Sequence, residues 1–395
     1  MVLALAGVPR GAWCQVAAER DSAAAGREQV DEATPAAESL PSDDWRGQLE
    51  SVVEQLQTLQ SDTDKLKRFK FSGYLQVRWE HAEDQSDTVA VAGTTVTPAN
   101  RERFFIRRGR FKLTYDSSPL SQAVVYFDGN TSSGTTRNIT LLEAYVTLLD
   151  PWTVDHRHGL TIGQMNVPFG YEIERSSSVR ELPERSRAEN VLFAGERDRG
   201  IKLVSQWTPW LETVVAVLNG GGVNHPFFPN TDPTRMKDVL GRVRVSQGIV
   251  DGAVSYYDGR DVRPLVGPDL ETDKTRLGAD LQLYYELPAL GGGSLKGEVY
   301  DGENLGADFT GVYAMWVQNL GERLQLAARW ETFDPNTNLD HDQFDRVGLG
   351  INAFYDGFTR ITVAYDIPNT DRSIGGGQFE DPDDNLWTVQ FQHKF

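Results

Sequence analysis

Apolar and polar side chains alternate along most of the chain, from Lys70 to Phe395. The alternating runs are about 9–14 residues long and are separated by clusters of Gly, Pro, Asn and Asp, which is typical of strands joined by turns. In the last run, Trp387 and Phe391 share one side and Thr388 and Gln390 the other, so one face suits lipid and the other water. The predicted strands, sixteen in number, lie near residues 70–81, 103–115, 120–128, 138–149, 158–166, 200–207, 210–219, 237–247, 249–258, 274–287, 294–301, 310–319, 321–333, 343–355, 357–366 and 385–395.

The connections between these strands alternate in length. Short breaks, such as Gly248 and Asp356–Gly357, follow even-numbered strands, whereas long segments follow odd-numbered ones. This arrangement on an even number of antiparallel strands is the plan of an outer-membrane barrel, and a soluble sandwich has no reason to sort its connections in this way. We therefore predict an all-β fold, a sixteen-stranded antiparallel transmembrane β-barrel over residues 70–395, preceded by a short N-terminal coiled-coil helix. The longest connections are 82–102, 167–199, 220–236, 259–273 and 367–384.

The segment before the helix has a different composition. Residues 1–18 resemble an export signal peptide with small residues before Glu19, although Pro9 and Arg10 interrupt the apolar run. A disordered Ala-rich tail is the alternative. Residues 19–44 are rich in Ala, Glu, Asp and Ser, which predicts a disordered linker.

Residues 45–69 predict a helix with a coiled-coil seam. Apolar positions from Leu49 to Leu66 recur at alternating four- and three-residue spacings, the a/d pattern of a coiled coil. So short a helix is not stable alone in water. We therefore predict a periplasmic helix that trimerises. A single amphipathic helix packed on the main domain is the alternative.

The composition excludes several classes of protein. The 395 residues include 57 acidic and 39 basic ones, giving a net charge of −18, which argues against nucleic-acid binding. No run approaches the ~18–20 apolar residues of a membrane-spanning helix. The single cysteine, Cys14, provides neither a disulfide nor a thiolate metal site. The histidines lie in no recognisable Ser–His motif, and residues 334–345 lack the Gly and Glu of a calcium loop. We therefore expect no catalytic activity, no cofactor and no metal.

Positive charge is nevertheless concentrated in the run RFFIRRGRFKLTY at residues 103–115. Regular alternation places Phe105 and Phe111 on the lipid side together with Arg107, which would snorkel toward an interface. Rings of Arg and Lys around an aqueous pore favour anions, and the planar fork of Arg suits phosphate-like groups. Bracing of the wall against acidic neighbours is the alternative role. The basic residues predicted to line the anion path are Arg78, Arg108, Arg110, Lys112, Lys202, Arg242, Arg244 and Arg329.

Residues 167–199 form a connection too long to be a simple link, which indicates a functional loop. Folded into the barrel, this loop would narrow the pore. Its acidic residues offset part of its positive charge, so only some of its arginines can face the channel. The arginines assigned to this constriction are Arg175, Arg180, Arg185, Arg187, Arg197 and Arg199.

Four sequence blocks carry a resemblance to a known family. RFFIRRGRFKL, LLEAYVTL, LTIGQMNVPFG and FAGERDRGIKL occur in an order and spacing that resemble the phosphate-selective porin O and P family. The resemblance covers roughly residues 69–395. It implies a sixteen-stranded trimeric barrel with inward-folded loops and an arginine-lined anion path. The positions that match the basic strand and the RDRG block of the family are Arg107, Arg108, Arg110, Arg197 and Arg199.

Pattern and resemblance together predict an outer-membrane porin for passive uptake of phosphate or similar small anions. The loop 167–199 contains no lysine, which favours broad anion passage over high phosphate affinity. The expected partners are further copies of the chain in a homotrimer, outer-membrane lipid, small inorganic anions and, through the coiled coil, the cell wall. A general or plugged barrel that tethers the membrane to the cell wall, without phosphate preference, is the alternative.

Overall fold

The computed structural model does not describe every residue. The predicted signal segment 1–18, and the predicted linker 19–44 except for its last residue, lie outside the described residues. The described residues are 44–83, 89–91, 94–96, 102–131, 138–223, 232, 234–262, 271–370, 372–375, 378–381 and 384–395.

Sixteen strands form one closed antiparallel barrel. Each strand pairs with its neighbours in sequence, and the last strand closes the barrel on the first, with Tyr74 opposite Lys394. Closure pairs every strand edge, which is the condition for crossing lipid with strands. The predicted fold is confirmed. The strands are β1 (Phe69–Ala82), β2 (Arg103–Ser118), β3 (Ser121–Asn130), β4 (Asn138–Leu149), β5 (His158–Asn166), β6 (Arg197–Thr208), β7 (Leu211–Leu218), β8 (Asp238–Gln247), β9 (Val250–Val262), β10 (Glu271–Leu287), β11 (Gly291–Asn304), β12 (Ala307–Leu320), β13 (Leu324–Asp334), β14 (Phe344–Phe354), β15 (Thr359–Thr370) and β16 (Leu386–Lys394).

The two ends of the barrel carry different connections, as the sequence predicts. We call the end with Phe69 and Lys394 the short-turn end and the opposite one the long-loop end. Two connections depart from the rule. Residues 150–157 form a longer turn at the short-turn end, and only Leu305 and Gly306 join β11 to β12 at the long-loop end. Both of these residues have positive φ, 54° and 74°, as a two-residue type I′ hairpin requires. Two small hairpins occur in long connections, Val89–Val91 with Thr94–Val96 and Arg372–Gly375 with Gln378–Glu380.

The outside of the barrel is apolar. On β16, Trp387 and Phe391 are exposed while Thr388 and Gln390 are buried inside, which confirms the alternation predicted for this strand. Exposed aromatic side chains occur towards both ends, as in barrels whose aromatic girdles lie at the two lipid–water interfaces. They include Trp207, Trp210, Tyr284, Tyr355 and Phe358 towards the short-turn end, and Phe104, Trp330 and Trp387 towards the long-loop end.

A β-bulge in β2 corrects one sequence prediction. Gln76 of β1 lies opposite Arg108, but the next residue of β1 lies opposite Ile106, so Arg107 is an extra residue in the ladder. A bulge reverses the alternation beyond it. Phe105 is therefore buried inside the barrel, and the Arg107 side chain contacts the interior loop residue Glu184. The prediction that Phe105 faces lipid and that Arg107 snorkels was wrong.

The N-terminal helix, α1, spans Asp44–Lys67, close to the predicted 45–69. The chain turns into β1 already at Phe69. The seam residues are exposed, with Leu56 and Leu59 showing 58% and 62% of their surface. Within the described residues, no helix has the length and apolar character needed to cross a membrane. The association of this helix with further copies stays a prediction.

Replacing Phe111 by Arg should impair assembly of the barrel. Phe111 is exposed on the outer face near the middle of β2, and an Arg on the lipid face costs about 2–4 kcal/mol at the bilayer mid-plane. The control is Thr147→Arg, which places the same side chain on the inner wall and should be tolerated. The measurement is the fraction of protein that reaches the membrane in heat-modifiable, folded form. Equal yields of both variants would contradict the assignment of faces.

Candidate anion path

The connection between β5 and β6, residues 167–196, folds into the barrel, and we call it the constriction loop. Phe169 and Ile173 of this loop are completely buried, in one cluster with inward-facing residues of β7 to β13. Phe169 lies so close to Gly278 of β10 that a Cβ there would be 2.6 Å from its ring. Burial of two such side chains contributes roughly 3–6 kcal/mol. The loop therefore closes the β7–β13 side of the lumen.

Polar contacts fix the other side of the loop to β1 and β2. The carboxylate of Glu184 accepts hydrogen bonds from Arg78 Nη1 at 2.7 Å, Arg107 Nε at 2.8 Å and Arg108 Nη2 at 3.1 Å. Burial raises the pKa of Glu184, which lies outside the membrane-spanning strands, but the three arginines hold it well below its usual range. Glu184 therefore stays ionised and neutralises part of this basic wall.

Several predicted pore residues brace the loop and do not line open space. Arg78 Nη2 donates to the carbonyl of Pro183 at 3.0 Å, and Arg329 Nη1 to that of Glu184 at 3.0 Å. Arg242, which is buried, donates to the loop residue Glu174. These contacts are the bracing role that the sequence left open as the alternative for wall arginines.

Three of the predicted constriction arginines also lie away from the open path. Arg185 is buried and donates from Nε to the carbonyl of Glu172 at 2.8 Å, so it folds the loop on itself. Arg180 is buried as well. Arg187, the first residue of the six-residue helix α2 (Arg187–Leu192), is exposed, with its guanidinium 5.3 Å from the Phe344 ring. The position of a residue in the loop sequence therefore does not decide whether it lines the pore.

Two of the cavities in the described structure lie along β1 to β6 inside the barrel. The short-turn vestibule has a volume of about 560 Å³ and extends from Ser72 and Lys394 to Arg110 and Arg197. The long-loop vestibule, of about 530 Å³, is lined by the same two arginines and by Asn130 and other residues towards the opposite end. Arg110 and Arg197 line both cavities and therefore lie between them, and we call this pair the constriction.

Both constriction arginines are held in place by neighbours. Arg110 donates from Nη1 to the Tyr74 hydroxyl at 2.8 Å and from Nε to Asp128 at 3.2 Å. Arg197 pairs with Glu196 at 3.0 Å and with Glu143 at 3.4 Å. Each guanidinium keeps its charge beside a partner, so the constriction combines fixed positive groups with a few carboxylates.

The lining of both vestibules is predominantly basic. In the short-turn vestibule six basic side chains face two carboxylates, those of Glu143 and Glu174, so positive charge prevails. Within the described part of the chain, Lys202 makes no ion pair, and Lys112 is 3.5 Å from Glu143. In the long-loop vestibule five arginines face Asp128 and Glu196. The basic residues are Arg110, Lys112, Arg175, Arg197, Lys202 and Lys394 in the first, and Arg107, Arg108, Arg110, Arg197 and Arg199 in the second.

The structure thus divides the predicted site residues. Arg108, Arg110, Lys112, Lys202, Arg175, Arg197 and Arg199 line the vestibules. Arg197 and Arg199 do so as part of β6, because Asn166 and Gln164 pair with them in the sheet, and not as part of the loop as predicted. Arg244 pairs with Asp251 next to the short-turn rim.

Sequence reasoning missed part of the lining. The inward position of Arg107 was not predicted, because the alternation of apolar and polar residues does not reveal the bulge. Tyr74, Tyr126 and Tyr145 also line the short-turn vestibule, and the Lys112 ammonium lies 5.5 Å from the Tyr126 ring. The alternation that predicts an inward side chain at Arg110 predicts the same for these three tyrosines, so the sequence does contain this signal.

Comparison with solved structures gives the fold a context. The outer membrane channel DcaP of Acinetobacter baumannii has a TM-score of 0.56 at 11% identity over 83% of this chain and 97% of its own. The chain has the fold of outer-membrane porins. The anion-selective porin from Comamonas acidovorans has a TM-score of 0.54 at 12% identity (83% and 99% covered), and OprB of Pseudomonas putida 0.57 at 9% (85% and 96%). No protein-family model and no curated protein sequence matches the chain.

Replacing Glu184 by Gln should loosen the constriction loop inside the porin fold. Three arginines would lose their shared negative partner, and the loss should stay below the roughly 3 kcal/mol of a fully buried pair because 28% of the Glu184 side chain is exposed. Amide hydrogen exchange of residues 167–196 should speed up at least about tenfold while the strands stay protected. Glu80→Gln is the control, since Glu80 contacts Arg78 at 3.3 Å but not the loop. Unchanged protection in E184Q would show that the apolar cluster alone holds the loop.

Proposed function

We propose that this protein is a passive channel of the bacterial outer membrane that favours small anions, with phosphate-like oxyanions among them. The observation that carries the proposal is the constriction formed by Arg110 and Arg197 between two basic vestibules. An ion that crosses the barrel along β1 to β6 passes both guanidinium groups. No reaction and no cofactor are part of this function.

The charge of the path favours anions on physical grounds. A unit charge at 4 Å contributes about 1–4 kcal/mol between the dielectric of bulk water and that of a protein surface. Salt screens such interactions over about 8 Å at physiological ionic strength, so selectivity should be strongest in dilute salt. The porin from Comamonas acidovorans, which has the same fold, is described as anion-selective, and this likeness supports the proposal for this chain.

The phosphate preference rests on the type of basic residue. Arginines dominate the constriction and the long-loop vestibule, and their planar forks donate paired hydrogen bonds to oxyanions. The constriction loop contributes no lysine. We therefore propose a preference for oxyanions with moderate affinity. The affinity can be measured from the decrease in chloride current through single channels as the phosphate concentration is raised.

Changing Lys112 and Lys202 together to Glu should lower the anion-to-cation permeability ratio several-fold or reverse it. Both side chains line the short-turn vestibule without bracing the loop, so the fold should persist. The measurement is the reversal potential of single channels in a salt gradient, most sensitive at low salt. The matched control replaces Arg157 and Arg323, both exposed in turns, by Glu. This change should alter the permeability ratio little. An unchanged ratio in the double Lys variant would contradict the anion path.

For assembly we propose a homotrimer in which the α1 helices, placed in the periplasm, form a coiled coil. The exposed apolar seam supports this: Leu49, Val52, Leu56, Leu59 and Leu66 show between 49% and 69% of their surface. OmpT of Vibrio cholerae, with a TM-score of 0.53, has been described in a trimer form. A tether between this coiled coil and the cell wall is the rival function, and a barrel that served only as an anchor would show no single-channel conductance.

Changing Leu56 and Leu59 to Asp should abolish association of the α1 helices while the barrel stays folded, because charges at a and d positions oppose burial of the seam. Cross-linking and native mass spectrometry in mild detergent would give the number of copies. Gln55→Asp with Gln57→Asp is the control off the seam and should leave the trimer intact. A wild-type protein that is monomeric under these conditions would overturn the proposal.

A further inference from the structure

Arg180 of the constriction loop has a buried charge without a partner. Only 3% of its surface is exposed. Within the described part of the chain, none of its three guanidinium nitrogens makes a hydrogen bond. Buried polar groups almost always have a partner, and an exception points to a bound water or ion. Arg180 also lines neither vestibule, so mobile ions of the open path do not solvate it.

The acceptors around Arg180 are already engaged. Glu184 and Glu172 are the carboxylates whose charges act on it most strongly. Glu184 is bound by Arg78, Arg107 and Arg108, as described above. Glu172 accepts hydrogen bonds from the backbone N–H of Ser186 at 2.9 Å and from Arg329 at 3.5 Å. Neither carboxylate therefore provides a direct partner for the Arg180 guanidinium.

Further unpaired arginine atoms lie in the same region. Arg108 and Arg360 both lie within electrostatic range of the Arg180 guanidinium. Within the described residues, Nε makes no hydrogen bond in either of them. Arg360 Nη1 donates to the backbone carbonyl of Arg180 at 2.9 Å, which ties β15 to this point of the loop. Arg360 Nη2 donates to the amide oxygen of Gln392 at 3.4 Å, and this oxygen also accepts from Gln76 at 2.7 Å. Arg180 thus presents three unused donors, and Arg360 adds an unused Nε. Arg108 also has an unused Nε, although its Nη2 shares Glu184 with Arg78 and Arg107.

A buried charge without a partner is strongly destabilising, because it loses its hydration and gains no compensating contact. Water molecules supply acceptors but no negative charge. We propose that a small anion of halide size binds between Arg180, Arg108 and Arg360 and is an integral part of the folded loop. The bound anion links the constriction loop to β2 and β15. This inference does not depend on the conduction of ions, because Arg180 lines neither vestibule, although Arg108 also lines the long-loop vestibule.

Crystals of the full chain grown in sodium bromide test the site directly. Anomalous scattering should locate a bromide ion next to the guanidinium of Arg180. An adventitious ion at low occupancy is distinguished by titration, since an integral site stays occupied when bromide is diluted in the soaking solution. A difference peak that behaves as water, with no anomalous signal at Arg180, overturns the proposal.

A stability measurement tests the site in solution. At constant ionic strength, the wild-type protein in detergent should unfold at a higher temperature in chloride than in gluconate, a larger organic anion, with a saturable dependence on chloride. Arg180→Gln should abolish this dependence. Arg187→Gln removes an exposed arginine of the same loop and should retain it. An equal chloride dependence in wild type, R180Q and R187Q would mean that the effect is not due to this site. If the unfolding temperature of the wild type does not depend on chloride, the inference is wrong.

Discussion

The contact between Glu184 and three arginines of β1 and β2 holds the interior of this barrel in its arrangement. An arginine-rich wall facing water would otherwise repel any loop that carries positive charge. One carboxylate, placed by the loop, neutralises part of that wall and fixes the loop beside it. On the opposite side an apolar cluster with Phe169 does the same without charge. The lumen is therefore divided into a closed, packed half and an open, basic half.

This division explains how an acidic protein contains a basic path. Many of its inward-facing carboxylates form ion pairs with arginines. The open half of the lumen is lined by more basic side chains than acidic ones. In the proposed channel, selectivity would depend less on the total charge than on which charges lie beside water. Glu143 illustrates this, because it contacts both Arg197, at 3.4 Å, and Lys112, at 3.5 Å, and so reduces the positive charge of two lining residues.

The barrel itself could be predicted from sequence because alternation and turn signals are local properties, repeated in every strand. The inward direction of Arg108, Arg110 and Lys112 followed from the same rule. The rule failed at Arg107 and Phe105, since a bulge is a property of two paired strands and leaves no trace in one of them. It also failed to separate lining from bracing. Arg78 and Arg329 obey the same alternation as Arg110, and only the folded loop decides that the third lines the two vestibules while the first two do not.

The bulge in β2 has a consequence for how such a wall can change during evolution. A regular strand delivers one inward side chain for every two residues, which limits how densely charge can be arranged along it. Because Arg107 is supernumerary in the ladder, Phe105 and Arg108 would keep their directions if a single codon were gained or lost at this point. The gene can thus add or remove one interior positive charge through an in-frame insertion or deletion, without converting any neighbouring position from lipid to water.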